Sequence, residues 1–261
     1  MQEPSPVTLE VQAGVAIVSI DNPPANALST ATLEALTSAL RQALNDPNVS
    51  VLILTGRGKL FAAGADIREL HALRDCESAR AFSRRGQALC ELIESSPKPV
   101  IAALNGRYVL GGGTELALAC HLRIMEESTQ IGSPEVQLGV MVGWGGSQRL
   151  PRLVGLGRAL DLLLTGRRLG AQEALGMGLV NRVVADGQAL SQAMELAREL
   201  ARLSAPALAA TLRAVRAGYL EDATKGLGTE AALFGWLAEK EDWQEGTGAF
   251  LEKRAPRFRN R

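Results

Sequence analysis

The stretch Asn105-Gly106-Arg107-Tyr108-Val109-Leu110-Gly111-Gly112-Gly113-Thr114-Glu115-Leu116-Ala117-Leu118-Ala119-Cys120 passes from a turn through an apolar run into a glycine triplet, then into a glutamate and an apolar helix over 116–120. Consecutive glycines let a backbone bend sharply and let a ligand approach main-chain N–H groups closely. Glu115, beside Leu116 and Leu118, is expected to be desolvated. Taken singly, it fits a favourable charge at the positive end of a helix dipole equally well. The glycines are contiguous rather than spaced G-x-G-x-x-G, and no P-loop lysine follows, so nucleotide-driven chemistry is not supported.

Two further turns have the same character. Upstream, Phe61-Ala62-Ala63-Gly64-Ala65-Asp66-Ile67 places Asp66 as a helix cap, with Glu69 at the capping-box position and the Ala65 amide at the helix start. Downstream, Gly132-Ser133-Pro134-Glu135 leads to a loop in which Gly143, Gly145 and Gly146 expose backbone. One amide from each of the first two turns would stabilise an oxyanion on a thioester carbonyl, at roughly 3 kcal/mol per donor. Glu135 follows Glu115 by twenty residues. Two carboxylates facing one water can divide the labour when their environments push their pKa values apart, one accepting a proton and the other donating.

Around these turns the chain reads as layered α/β. Strands are expected at Val15–Ile20, 49–54 and Val100–Leu104, the last two apolar at nearly every position as when both faces are covered. Leu33, Leu36, Leu40 and Leu44 mark one helix, and Phe82, Leu89, Leu92 and Ile93 another that stops at Ser95-Ser96-Pro97. A core over residues 1–187 is followed, past Ala185-Asp186-Gly187, by a helical region over 188–261 with segments at 190–203, 206–219 and 223–241. The basic tail 253–261 is expected to be partly mobile.

Composition narrows the class. A chain of 261 residues with 46% hydrophobic content can bury a large core. The 28 basic and 28 acidic side chains cancel, so no overall field draws the protein to nucleic acid or to an anionic membrane. The start of the chain has no secretory pattern and no later run is long enough to span a bilayer, which leads us to expect a cytoplasmic protein. Cys76, Cys90 and Cys120 lack metal spacing and read as reduced structural thiols. His71 and His121 have no triad or metal partners and read as structural. Gly56-Arg57-Gly58-Lys59 is a weak candidate for a phosphate contact.

The ordered set Phe-Ala-Ala-Gly-Ala-Asp-Ile, Asn-Gly-x5-Gly-Gly-Thr-Glu-Leu-Ala-Leu-Ala and Ser-Pro-Glu-x2-Leu-Gly resembles the enoyl-CoA hydratase/isomerase, or crotonase, family. The likeness runs from Pro24-Ala25-Asn26-Ala27-Leu28 through Leu164-Thr165-Gly166 to Lys253-Arg254-Ala255-Pro256. It implies a left-handed spiral of ββα units with a C-terminal helical trimerisation region, in a homotrimer or dimer of trimers. The implied activity is reversible syn hydration of a trans-2-enoyl-CoA to a 3-hydroxyacyl-CoA, a hydro-lyase reaction of fatty-acid metabolism. Acyl-CoA is the substrate, and no metal, redox cofactor, nucleic acid or membrane partner is implied.

By the same resemblance, Ala65 and Gly112 supply oxyanion-hole amides, Glu115 helps activate water, and Glu135 supplies the proton to Cα. Gly143 helps hold the water, and Ala25, Ala27, Ala63, Gly64, Asp66, Ile67 and Trp144 join it in substrate binding. Rival readings are an enoyl-CoA isomerase or a methylglutaconyl-CoA hydratase of the same fold, or an RNA-binding homologue, against which the zero net charge argues. The chain departs from the family pattern at Ser133, commonly glutamine; at Val142, frequently proline; at Trp144, usually small; and at His121, often aspartate. The Trp144 ring either shortens or reshapes the pocket, in favour of short or branched acyl chains, or packs outside it.

Overall fold

A computed structural model of the chain describes residues 5–220 and 223–260. Its strands are β1 (Val7–Gln12), β2 (Val15–Ile20), β3 (Val51–Gly56), β4 (Val100–Leu104), β5 (Tyr108–Leu110), β6 (Leu122–Glu126), β7 (Gln130–Gly132), β8 (Arg168–Gly170) and β9 (Arg182–Val184). Six of them form one sheet in the order β1-β2-β3-β4-β6-β9, parallel except for the β1/β2 hairpin. A smaller sheet has the order β5-β7-β8.

Every residue of β3 and β4 is buried, in keeping with the apolar runs 51–54 and Val100–Leu104. Leu52 and Leu54 point to one face, where they meet Leu36 and Leu40 of the helix Thr30–Asn45 and Leu89 and Ile93 of the helix Cys76–Glu94. Val51 and Ile53 point to the other, against Ala189, Ala193, Met194 and Ala197 of the helix Ala189–Leu200. The first helix beyond the Ala185-Asp186-Gly187 border therefore covers the core sheet.

The chain alternates between the sheets. β4 in the large sheet leads to β5 in the small one and then to the helix Gly112–Ala119; β6 leads to β7 and then to the 3-10 turn Glu135–Leu138. After β3, single bridges Leu60↔Gly106 and Ala62↔Val109 repeat the pattern before the helix Ile67–Ala72. Each strand pair delivers the turn that follows it to the same rim.

Several boundaries differ from those read in the sequence. The strand expected at 49–54 lies at Val51–Gly56, because the Val49 amide closes a turn on Asp46. β1, not among the expected strands, is an edge strand held by β2. The helix expected from 116 begins at Gly112, so the glycines form its first turn. The segment 223–241 divides into Ala223–Ala238 and an unanticipated helix Glu241–Leu251, since Lys240 is extended and Glu241 and Asp242 favour a new helix start.

The basic tail is hydrogen-bonded to the helices as far as Asn260, and Arg261 lies outside the described residues. Asp242 accepts from the Arg259 and Asn260 amides, Glu245 accepts from Arg254 and the Arg257 amide, and the Asn260 side chain accepts from the Ala205 amide. Cys90 and Cys120 are buried free thiols, and Cys76 is exposed. His121 is structural: its Nδ1 accepts from the Val100 amide at 2.9 Å, and burial lowers its pKa. Among the described residues, no helix is long and apolar enough to cross a membrane.

Candidate active site

Glu115 sits in the first turn of the wholly buried helix Gly112–Ala119 and is itself only 2% exposed. Its Oε1 accepts from the backbone amides of Trp144 and Gly146, each at 2.7 Å. Burial pushes its carboxyl up to about 7, against the opposing pull of those amides and with a further upward push from Glu135. A carboxyl so tuned exchanges protons near neutral pH.

Glu135 opens the 3-10 turn after β7, and burial raises its pKa as well. Its Oε2 is buried with no hydrogen-bond partner among the described residues. Such an atom costs stability unless something else satisfies it. Gly111, at φ +55°, brings the backbone so close that an added Cβ would lie 3.3 Å from Glu135 Oε1 and 3.5 Å from Gly64 Cα.

The turns around Gly64 and Gly112 meet at backbone distance. A Cβ on Gly64 would lie 3.3 Å from the Leu110 carbonyl oxygen and 3.7 Å from the Gly112 nitrogen. Among the described residues, neither the Ala65 nor the Gly112 amide donates to a protein acceptor. Both N–H groups are therefore available to a ligand oxygen in the cleft, of about 910 Å³, that they line together with Glu115 and Glu135.

Ala63, Gly64, Ile67, Gly143 and Trp144 also line this cleft, whereas Ala25, Ala27 and Asp66 do not. The Ala25 carbonyl accepts from the Ala63 amide, and buried Asn26 donates to the carbonyls of Arg57 and Leu60, so this turn braces the Ala63–Ala65 backbone from behind. Asp66 spends its carboxylate capping the amides of Arg68 and Glu69. The expected capping box is only half formed, because the Glu69 carboxylate turns instead to the Thr30 amide and hydroxyl, both at 2.8 Å. Arg57 pairs with Glu10 rather than standing free for a phosphate.

Trp144 lies inside the cleft wall. Its ring is 3% exposed, packs against Phe82 at 5.8 Å between centroids, and fills the space over two glycines. A Cβ on Gly86 would fall 2.2 Å from its Cδ1, and one on Gly112 2.3 Å from its Cζ3. Val142 lines the cleft beside it, while Ser133 is buried outside the lining.

The residues that hold this loop went unread in the sequence. Ser83 and Gln87 donate to the Gly143 carbonyl at 2.6 and 3.0 Å. Arg149 donates to the Trp144 carbonyl at 2.9 Å and pairs with Glu94 at 2.8 Å. Ser83 and Gly143 are 60 residues apart, and no local pattern connects them. The i, i+4 spacing of Ser83 and Gln87 on one helix face was the only available signal.

The model of the enoyl-CoA hydratase/isomerase family matches residues 10–261. A probable enoyl-CoA hydratase of Bacillus subtilis is 44% identical over 97% of this chain and 98% of its own length. A crotonyl-CoA hydratase of Syntrophomonas wolfei is 42% identical over 97% of each. The crystal structure of an enoyl-CoA hydratase from Bacillus anthracis superposes with a TM-score of 0.93 at 39% identity, over 98% of this chain and 100% of that one. Sequence and architecture thus agree along nearly the whole length: the α/β spiral is the crotonase fold, and the chain belongs to the enoyl-CoA hydratase/isomerase family.

Proposed function

We propose that this chain is an enoyl-CoA hydratase, a hydro-lyase that adds water reversibly and syn to a trans-2-enoyl-CoA to give a 3-hydroxyacyl-CoA. The observation that carries this reading is the convergence of two desolvated carboxylates and two available amides on one cleft. The thioester carbonyl oxygen accepts from the Ala65 and Gly112 amides, which polarises the conjugated system and makes Cβ electrophilic. Glu115 takes a proton from water as its oxygen bonds to Cβ, and electron density moves onto the thioester oxygen. Glu135 then delivers its proton to Cα, and proton return from Glu115 to Glu135 restores the starting state. The reaction written this way calls for no metal or redox cofactor, only the acyl-CoA substrate.

Trp144 supports a preference for short or branched acyl groups, since its ring occupies volume in the wall that a small residue would leave open. The relative named crotonyl-CoA hydratase is in keeping with this. Assembly as a homotrimer or dimer of trimers is supported by exposed apolar side chains on the C-terminal helices, Leu227 (65%), Phe234 (62%), Phe250 (83%) and Leu251 (80%). Three free cysteines support a reducing, cytoplasmic setting.

The test is the loss of conjugated-thioester absorbance on adding crotonyl-CoA, with Glu115→Gln and Glu135→Gln as controls. Hydration by the native protein and loss of turnover in both variants is the expected result. No turnover of short, branched or aryl enoyl thioesters overturns the reading, and identification of a migrated double bond in the product replaces it with isomerisation.

A further inference from the structure

The loop that serves Glu115 is itself held by Ser83 and Gln87, which line the same cleft. The peptide unit joining Gly143 to Trp144 has two ends: its N–H donates to Glu115 Oε1 at 2.7 Å, and its carbonyl accepts from Ser83 Oγ at 2.6 Å and Gln87 Nε2 at 3.0 Å. Gln87 also donates to Ser83 Oγ at 3.2 Å, which ties the two donors together. The peptide bond is planar and trans, so fixing the carbonyl fixes the direction of the N–H. Hydrogen bonds to a carbonyl also polarise the amide and strengthen its N–H as a donor.

We propose that Ser83 and Gln87 are positioning residues for Glu115, clamping the Gly143 carbonyl so that the Trp144 amide is aimed at, and polarised toward, the carboxylate. The proposal rests on the hydratase reading, within which both side chains act through the Gly143 carbonyl to which they donate. The other groups facing Glu115 are Glu135 from the 3-10 turn, which disfavours its charge, and the Cys90 thiol, 3.7 Å from the Glu115 carbonyl. Burial keeps that thiol neutral, and Arg149, which acts on it electrostatically, is paired with Glu94. None of these binds the Gly143 carbonyl, so the clamp is a separate influence on the carboxylate.

The clamp also explains why a serine and a glutamine stand one turn apart on a helix whose neighbouring positions, Phe82 and Gly86, receive the Trp144 ring. One helix thereby positions both the backbone and the side chain of residue 144. Apolar groups seat the ring, and polar groups seat the peptide.

The experiment compares Ser83→Ala, Gln87→Ala, the double variant and Ser83→Thr in the full chain. Crotonyl-CoA hydration is followed across about pH 5 to 9, and the Glu115 carboxyl is titrated by 13C NMR, assigned by its absence in Glu115→Gln. The double variant is expected to lose about tenfold in kcat with KM changed less than about twofold. The acid limb and the Glu115 titration should move up together by about half a pH unit or more, because the carboxylate loses part of its hydrogen-bond support. Ser83→Thr, which keeps the hydroxyl, is expected to retain the native profile. An unmoved Glu115 titration in the double variant overturns the clamp, as does a loss confined to KM. A native protein that hydrates nothing overturns the hydratase reading instead, and the NMR titration still decides the clamp.

Discussion

Two glutamates in different regions have opposite environments. Glu115 is buried in the cleft, where it meets backbone amides and, among the described residues, forms no ion pair, and its carboxyl is pushed up to about 7. Glu245, half-buried on the helix Glu241–Leu251, holds Arg254 and the Arg257 amide, and the Arg254 hydrogen bond draws its carboxyl down to about 2. The tail carboxylate holds structure together in its charged form. In the cleft, burial disfavours the charged form, which brings the carboxyl into the range suited to the proton acceptor proposed above.

The largest effect should come from breaking the cleft side of this contrast. Glu115→Gln is expected to lower hydration by about 10²- to 10⁴-fold, measured as initial rate on crotonyl-CoA, because the variant keeps an acceptor for the two amides but not a base. The native rate should fall with acid below about 7, where Glu115 becomes protonated and ceases to act as the base. A pH–rate profile flat from about 5 to 8 would remove Glu115 from that role.

The same substitution should stabilise the fold. Glu115 rises from 4.5 to about 7 on folding, so its contribution to stability is fully present below 4.5, falls away as pH rises, and is lost above about 7. Denaturant unfolding near pH 8 should find Glu115→Gln more stable by up to roughly 3 kcal/mol, with the gap closing toward pH 4. A variant less stable at every pH would mean that the charge is better solvated than its burial indicates.

Glycines sharpen the comparison at a smaller scale. Gly86→Ala drives a methyl into the Trp144 ring and should cost about 1–3 kcal/mol, together with activity. Gly248→Ala, in the tail helix with nothing within 4 Å, should gain about 0.5–1 kcal/mol and leave turnover unchanged. Thermal unfolding of the two variants checks both signs. The smallest effect is expected for Glu245→Gln. Its support is present above 4.5 and lost as pH falls through about 2, so at neutral pH the variant should show faster amide exchange at Arg257 and unaltered kcat.

Much of the cleft was legible in the chain because its parts are local. The glycine triplet before Glu115, the Phe61–Ile67 turn and Glu135 each follow a strand closely in sequence, and consecutive glycines or a proline-led turn leave a recognisable trace. The apolar runs of β3 and β4 announced a sheet covered on both faces. Legibility failed where a group's partner is distant in sequence. Glu69 has the spacing of a capping box, yet it bonds Thr30, 39 residues away. The tail 253–261 has the composition of a loose end, yet Asp242 and Glu245 bind it down to Asn260.

Trp144 divides the two kinds of knowledge most clearly. From the sequence came its presence beside Gly143 and the choice between a ring that reshapes the pocket and one that packs outside it. Folding settled that the ring enters the wall, since Gly86 and Gly112 open a slot that no linear pattern connects to residue 144. The order of turns and carboxylates is written in the chain because each strand is followed at once by its own turn. The pKa of Glu115, the aim of the Trp144 amide and the room for its ring arise from contacts across the fold, because desolvation and steric fit depend on every element packed around the site.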